Sequence, residues 1–190
     1  MKKNLITILM ILTLMLNGCS QVTETSKTND YIIPTEYFEF LNAEPEDAIE
    51  AYSELGEEYC TEIVETEDGV MLKLTDEQRD NMIQRNNDMI DEQLDEFTDN
   101  NALYSYEADE NYEKLILSFD ENLSVTDQIA TVFGVPSIYG MNYMLQNNTT
   151  EWVVDVTILN CHTGKEVISM KVPVDKVSYG PAEWEESYSE

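Results

Sequence analysis

Residues 59–78, which read YCTEIVETEDGVMLKLTDEQ, decide the fold. Two apolar and β-branched runs lie on either side of Asp68-Gly69, and this dipeptide between such runs is a strong β-hairpin signal because both positions tolerate a positive φ. The last four residues, TDEQ (75–78), match a capping box, in which the threonine and glutamine side chains satisfy free N–H groups of the first helical turn. The stretch therefore predicts a hairpin followed directly by a helix that ends near Asp99.

The same order returns along the chain. Residues 103–119 predict a second hairpin, and a second helix is expected over 125–146. Pro136 should kink or split this helix because proline lacks an N–H and clashes with the preceding turn. Residues 151–172 predict a third hairpin, and 45–55 a shorter helix. We expect an α+β fold with a mainly antiparallel sheet of about six strands in hairpins, two principal helices packed on one face and a short extra N-terminal helix.

The amino-terminal residues predict an exported chain. Two lysines precede an apolar run at 5–16, which is too short for a membrane span of about 20 residues. The run ends in LNGC (16–19), which resembles the bacterial lipobox. The resemblance implies diacylglycerol on Cys19 and cleavage before it, and an ordinary secretory signal cut elsewhere is the alternative. Two or more acyl chains would hold the protein on the outer face of the cell membrane almost permanently.

The chain divides into four predicted segments. Residues 1–18 are the signal peptide, and 19–30 carry the lipidated cysteine and a flexible, polar tether. Residues 31–176 form a single α+β domain, and 177–190 form an acidic tail that we expect to be loose.

The composition is very acidic. The chain has 39 Asp and Glu against 10 Lys and Arg, a formal net charge of −29, and residues 28–72 contain no Lys or Arg. Such a surface argues against nucleic acid, whose binding rests on Lys and Arg. It favours a cationic protein, a cationic peptide or a metal ion as partner. No cofactor is assigned; Ca²⁺ is the candidate that an acidic exported domain suggests, but the sequence does not match an EF-hand loop. Solubility outside the cell is the alternative interpretation of the charge.

Few residues offer catalytic or metal chemistry. Apart from Cys19, the cysteines are Cys60 and Cys161, and an exported chain can join these two in a disulfide or keep both as buried thiols. His162 is the only histidine. Adjacent residues on an extended chain point to opposite faces, so we interpret Cys161 and His162 as an ordinary loop pair between two strands rather than a nucleophile or zinc site. The many carboxylates leave a carboxylate-based hydrolase open, but no pair is singled out and no catalytic residue is assigned.

Several segments together resemble one group of proteins: the LKLTDEQ motif at 72–78, the acidic helix after it, the strand at 112–119, the apolar helix with its glycines, and the last hairpin around Thr163-Gly164-Lys165. The group consists of uncharacterised small extracytoplasmic lipoproteins of Gram-positive bacteria, and the resemblance covers residues 59–176. It implies the element order hairpin, helix, hairpin, helix, hairpin and an extracytoplasmic location. It implies no activity.

These observations favour a membrane-anchored binding or interaction module. We expect it to bind a cationic partner through its acidic face, or to bind its partner in a hydrophobic groove near the second helix. The alternatives are an immunity-type lipoprotein that traps a cationic peptide and a carboxylate-based hydrolase.

Overall fold

The computed structural model describes residues 27–175 and 179–189. The predicted signal peptide, Cys19 and most of the predicted tether lie outside these residues. The strands and helices follow in this order: β1 (Thr28–Pro34), α1 (Thr35–Leu41), α2 (Pro45–Leu55), β2 (Glu62–Thr66), β3 (Gly69–Thr75), α3 (Asp76–Asp99), β4 (Ser105–Ala108), β5 (Lys114–Phe119), α4 (Val125–Ile129), a π-helical segment (Ala130–Gly134), α5 (Val135–Asn147), β6 (Val154–Asn160), β7 (Glu166–Val172) and α6 (Pro181–Tyr188).

The strands form two sheets. The first is antiparallel with the order β1-β3-β2, and the second has the order β4-β5-β6-β7. In the second sheet β5 and β6 are parallel, whereas both outer pairs are antiparallel. A parallel pair needs a long crossover connection, and the helices between β5 and β6 supply it. The α+β class is confirmed, and most strand pairs are antiparallel, as expected. The expectation of one sheet of about six strands in hairpins is wrong, because the strands of the described residues form two sheets, β1 pairs with β3 outside a hairpin, and the crossover makes β5 and β6 parallel.

The first hairpin forms as its turn predicts. Strand β2 pairs with β3 from Thr66↔Gly69 to Glu62↔Lys73. Gly69 has a φ of 135°, and a Cβ built on it would lie 2.1 Å from the backbone oxygen of Ile33 in β1. A side chain at this position would therefore clash with the neighbouring strand.

Helix α3 begins as the capping box predicts. The backbone N–H of Gln78 donates to Thr75 Oγ1 at 3.2 Å, and the backbone N–H of Thr75 donates to Gln78 Oε1 at 2.8 Å. Two N–H groups that would lack helical partners are thereby satisfied. The helix ends at Asp99, as predicted, and its buried residues are Met82, Asn86, Ile90, Leu94 and Phe97.

The second principal helix changes its hydrogen-bond pattern just before Pro136 but is not broken, because the backbone stays in the right-handed helical region at Ile129, Ala130, Gly134 and Val135. The predicted kink or split is therefore seen only as a π-helical segment. Ser124 caps α4 by accepting a hydrogen bond from the backbone N–H of Asp127 at 3.1 Å. The π-helical segment Ala130–Gly134 follows, and Pro136 then lies in the first turn of α5, where its missing N–H is tolerated.

One hydrophobic core joins both sheets. Helix α5 contacts α3, strand β1 of the first sheet and strand β6 of the second. Within this core, Asn86 Nδ2 donates to Asn142 Oδ1 at 2.8 Å, and Asn142 Nδ2 donates to Asn87 Oδ1 at 2.9 Å. These bonds join α3 to α5 and satisfy the amide of Asn142, which is fully buried.

Both ends of the predicted domain extend further than expected. Strand β1 begins at Thr28, so the last three residues of the predicted tether belong to a sheet. In the predicted loose tail, 181–188 form α6, and Trp184 is only 6% exposed. The tail prediction is wrong here because this tryptophan packs edge-on against Phe119, with ring centroids 5.4 Å apart. Among the helices of the described residues, none combines the length and apolarity needed to span a membrane.

Candidate functional site

The parallel pairing of β5 and β6, the two central strands of the second sheet, brings together the chain segments that follow their carboxyl ends. Phe119, the last residue of β5, is aligned with Asn160, the last residue of β6. The backbone N–H of Cys161 donates to the Phe119 oxygen at 2.9 Å. Asp120 and Cys161, which follow the two strand ends, therefore become neighbours although 41 positions separate them in sequence.

Asp120 is the buried carboxylate among the described residues, with 4% of its surface exposed. The Tyr104 hydroxyl donates to its Oδ1 at 2.8 Å, and the backbone N–H of Asn122 donates to the same oxygen at 2.9 Å. The His162 Nε2 lies 3.0 Å from the other oxygen, Oδ2. Burial alone would raise the pKa of Asp120, but these hydrogen bonds outweigh burial and hold its pKa below the ordinary value.

Cys161 and His162 lie in the turn between β6 and β7, as the sequence predicts. Residues 161–163 form this turn, and the backbone N–H of His162 donates to Asn160 Oδ1 at 2.9 Å. The Cys161 Sγ and a His162 ring nitrogen lie within 4.8 Å of each other and of an Asp120 carboxylate oxygen. The expectation that the two side chains point to opposite faces is wrong, because that rule holds for extended backbone and this backbone turns.

The pKa directions of Asp120 and Cys161 do not favour a nucleophilic thiol or a general-acid carboxyl in this cluster. A catalytic cysteine needs a lowered pKa, whereas burial and the nearby carboxylate of Asp120 raise the pKa of the Cys161 thiol. A carboxyl that acts as a general acid needs a raised pKa, whereas that of Asp120 is lowered. The cluster therefore does not support the carboxylate-based hydrolase.

The other predicted cysteine lies elsewhere. Cys60 precedes β2 of the first sheet, and its thiol donates to the backbone oxygen of Glu62 at 2.9 Å. Cys60 and Cys161 are both free cysteines. The disulfide that the sequence left open is therefore not formed in this structure.

Helix α6 is fixed beside the Asp120, Cys161 and His162 cluster by one buried and one partly buried hydrogen bond. Asn160 Nδ2 donates to Ser187 Oγ at 2.8 Å, and Thr163 Oγ1 donates to the Ser187 backbone oxygen at 3.0 Å. The Tyr188 ring stacks on the His162 ring, with centroids 6.1 Å apart. The last helix of the chain is thus part of the site.

A cavity of about 570 Å³ opens between α6 and the segment after β5. We call it the aromatic cavity, and its lining residues are Glu121, Gln128, Tyr179, Gly180, Pro181, Trp184, Glu185 and Tyr188. Two bonds across it order its walls: the Tyr188 hydroxyl donates to Glu121 Oε2 at 2.6 Å, and the Tyr179 hydroxyl donates to Gln128 Oε1 at 2.9 Å. Three aromatic rings and two carboxylates therefore share one opening, and none of the described residues that line it is basic.

A cleft also lies beside the second principal helix, where the sequence predicted a hydrophobic groove. It has a volume of about 370 Å³, and its lining residues are Met89, Glu92, Gln93, Glu96, Ala130, Gly134, Val135 and Ile138. None of these described lining residues is aromatic. It therefore lacks the groups that distinguish the aromatic cavity.

Most residues of the site were missed from the sequence. Asp120, Tyr104 and Glu121 received no role because the prediction of a mainly antiparallel sheet kept the ends of β5 and β6 apart, and Trp184 was placed in a loose tail. One sequence feature could have indicated the site: Asp120 and Cys161 each directly follow an apolar strand. Ligands commonly bind at the carboxyl ends of parallel strands. Comparisons of this chain with protein-family models, with curated proteins and with solved structures found no match.

Proposed function

We propose that this chain is a membrane-anchored extracytoplasmic binding module, and that the aromatic cavity holds a cationic side chain of a peptide partner. The lipid anchor on Cys19 and the location outside the cell rest on sequence signals in a segment that the structure does not describe. The relationship to uncharacterised small lipoproteins of Gram-positive bacteria rests on sequence motifs within residues 59–176 and is also part of the proposal.

The lining of the aromatic cavity supports a cationic occupant. Tyr179 and Trp184 lie with ring centroids 6.5 Å apart, and Tyr188 completes the aromatic wall. The negative faces of aromatic rings attract an ammonium or guanidinium group by about 0.5–2 kcal/mol, depending on desolvation. Glu121 and Glu185 add negative charge at the same opening. This combination is the single observation that carries the proposal.

The charge of the whole chain supports the same occupant. The formal net charge is −29, so a cationic peptide is attracted before contact and an anionic ligand is repelled. The attraction between exposed charges reaches about 10 Å at an ionic strength of 0.1 M. Binding should therefore be strongest at low salt.

The size of the aromatic cavity favours a side chain over a folded surface. Small-ligand sites have volumes of roughly 300–1,000 Å³, and about 570 Å³ accommodates one lysine or arginine side chain with part of its backbone. An immunity role, in which the lipoprotein traps a cationic antimicrobial peptide near the membrane, is a narrower form of this proposal.

The test is a titration of the full-length chain, held in a nonionic detergent, with a short arginine-rich peptide. Binding is followed by the fluorescence of Trp184, which lines the cavity; Trp152 is the other tryptophan of the chain. The test variant is Glu121→Gln with Glu185→Gln. The control is Glu92→Gln with Glu96→Gln, which removes the same charge from two exposed residues of the other cleft.

We expect the cavity variant to bind on the order of 5- to 30-fold more weakly, since each exposed ion pair contributes about 0.5–1 kcal/mol. The control variant should bind within about twofold of the wild type at 0.15 M salt, where distant charges are screened. Equal weakening in both variants would mean that total charge alone attracts the peptide, and would refute the assignment to the aromatic cavity.

A further inference from the structure

We infer that Asp120, Cys161 and His162 form a binding site for a zinc-class divalent metal ion. The inference rests on residues other than the cavity carboxylates Glu121 and Glu185. It therefore stands or falls separately from the proposed peptide binding.

The geometry of the three donors fits one metal ion. A carboxylate oxygen, a thiol sulfur and an imidazole nitrogen all lie within 4.8 Å of one another. The bond lengths of tetrahedral zinc, about 2.0–2.3 Å, place its ligands roughly 3.3–3.8 Å apart. Small side-chain rotations at the exposed His162 ring would close the remaining difference, since its side chain is 42% exposed.

The carboxylate of Asp120 is already oriented for this role. Tyr104 and the backbone of Asn122 both bind its Oδ1, which leaves Oδ2 directed toward His162. Metal ligands in proteins are held in this way by hydrogen bonds from residues that do not touch the metal, and such partners strengthen binding by about 10- to 100-fold. Since Asp120 is 4% exposed, these bonds form in a buried setting, where they hold the carboxylate firmly.

The chemistry of the donor set selects the metal class. Sulfur, imidazole nitrogen and a single carboxylate suit Zn²⁺ and similar transition ions. Ca²⁺ requires six to eight oxygen ligands, which this cluster does not offer. Three protein ligands and an exposed histidine edge leave the fourth position for water or another exogenous donor, the pattern of an open zinc site.

The test uses the full-length chain in a nonionic detergent, stripped of metal with a chelator and then dialysed. ZnCl₂, CaCl₂ and MgCl₂ are each titrated by calorimetry, and CoCl₂ is titrated by absorption because a cobalt–thiolate bond gives a charge-transfer band. The variants are Cys161→Ser and His162→Gln, with Cys60→Ser as the matched control. Circular dichroism of each apo variant reports whether it folds.

We expect one Zn²⁺ per chain, bound at least 100-fold more tightly than Ca²⁺, and a cobalt–thiolate band. Cys161→Ser should abolish the band, and His162→Gln should weaken Zn²⁺ binding at least tenfold, while Cys60→Ser changes neither. His162 is exposed, so its variant should fold even if Cys161→Ser does not. Absence of the band in the wild type, its loss in Cys60→Ser, or unchanged Zn²⁺ affinity in folded His162→Gln would overturn the site.

Discussion

Replacing Gly140 with alanine should change the free energy of unfolding through two effects of opposite sign. Gly140 lies inside helix α5, where alanine is favoured over glycine by about 0.8–1.0 kcal/mol on intrinsic propensity. A Cβ at this position, however, would lie 2.2, 2.4 and 2.7 Å from three carbons of the Trp152 ring. The ring would have to move, and it is only 7% exposed.

The packing effect should dominate. Trp152 contacts the rings of Tyr37 and Phe40 edge-on, with centroids 5.7 and 5.8 Å away. Overpacking of a core typically costs about 1–3 kcal/mol, and each disturbed aromatic pair adds roughly 0.5–1.5 kcal/mol. After the gain in helix propensity is subtracted, we expect Gly140→Ala to lower the free energy of unfolding by about 1–5 kcal/mol.

Urea unfolding followed by circular dichroism measures this change as a shift of the midpoint at constant slope. Gly134→Ala is the matched control in the same helical region, because its Cβ would meet its nearest atom at 4.0 Å and its φ is −65°. The control should be neutral or more stable by up to about 1 kcal/mol. If Gly140→Ala were as stable as the control, the close packing of Trp152 on α5 would be refuted.

Three further substitutions test other contacts. Asn142→Ala should lower the free energy of unfolding by about 1–3 kcal/mol, because Asn86 would keep a buried amide without its partner; urea unfolding with no change would refute the network. Gly69→Ala should lower the melting temperature and the yield of folded protein, because its Cβ would clash with the backbone of β1; an unchanged melting temperature would contradict this. Tyr104→Phe should weaken Zn²⁺ binding about tenfold by removing one of the two hydrogen bonds that hold Asp120 Oδ1, and calorimetry with unchanged affinity would show that the hydroxyl does not position the ligand.

The elements that were predicted correctly are marked in the sequence by short motifs, each only a few residues long. The Asp68-Gly69 turn and the capping box at Thr75 depend on local backbone chemistry, and both are found where expected. The irregularity expected at Pro136 is found as a π-helical segment that ends two residues before it. Strands β5 and β6 also lie within the hairpins predicted at 103–119 and 151–172, where apolar residues alternate because one face of each strand is buried.

The pairing of strands could not be predicted in the same way. A hairpin pattern at 103–119 and another at 151–172 are equally compatible with antiparallel and parallel contact between them. The choice depends on how the intervening helices cross over the sheet, which is a property of the whole core. Because the site lies at the ends of β5 and β6, the missed parallel pair also hid the proximity of Asp120 and Cys161.

The carboxyl-terminal helix was missed for a related reason. Residues 181–188 are acidic and short, so their own sequence favours a loose tail. Their stability comes from contacts made elsewhere in the chain, chiefly Trp184 against Phe119 and Ser187 with Asn160. Contacts of this kind outweigh weak local propensity, as tertiary packing commonly does for short helices.

The most direct test of the central proposal is an NMR measurement on a bound arginine-rich peptide whose arginine side chains are labelled with carbon-13. Protons that lie over aromatic rings shift upfield, so a guanidinium-bearing side chain held by Tyr179, Trp184 and Tyr188 should show clear upfield shifts on binding to the full-length chain. Such shifts, reduced in the Glu121→Gln and Glu185→Gln variant, are the predicted result. Tight binding without any upfield shift would place the peptide outside the aromatic cavity and contradict the proposed function.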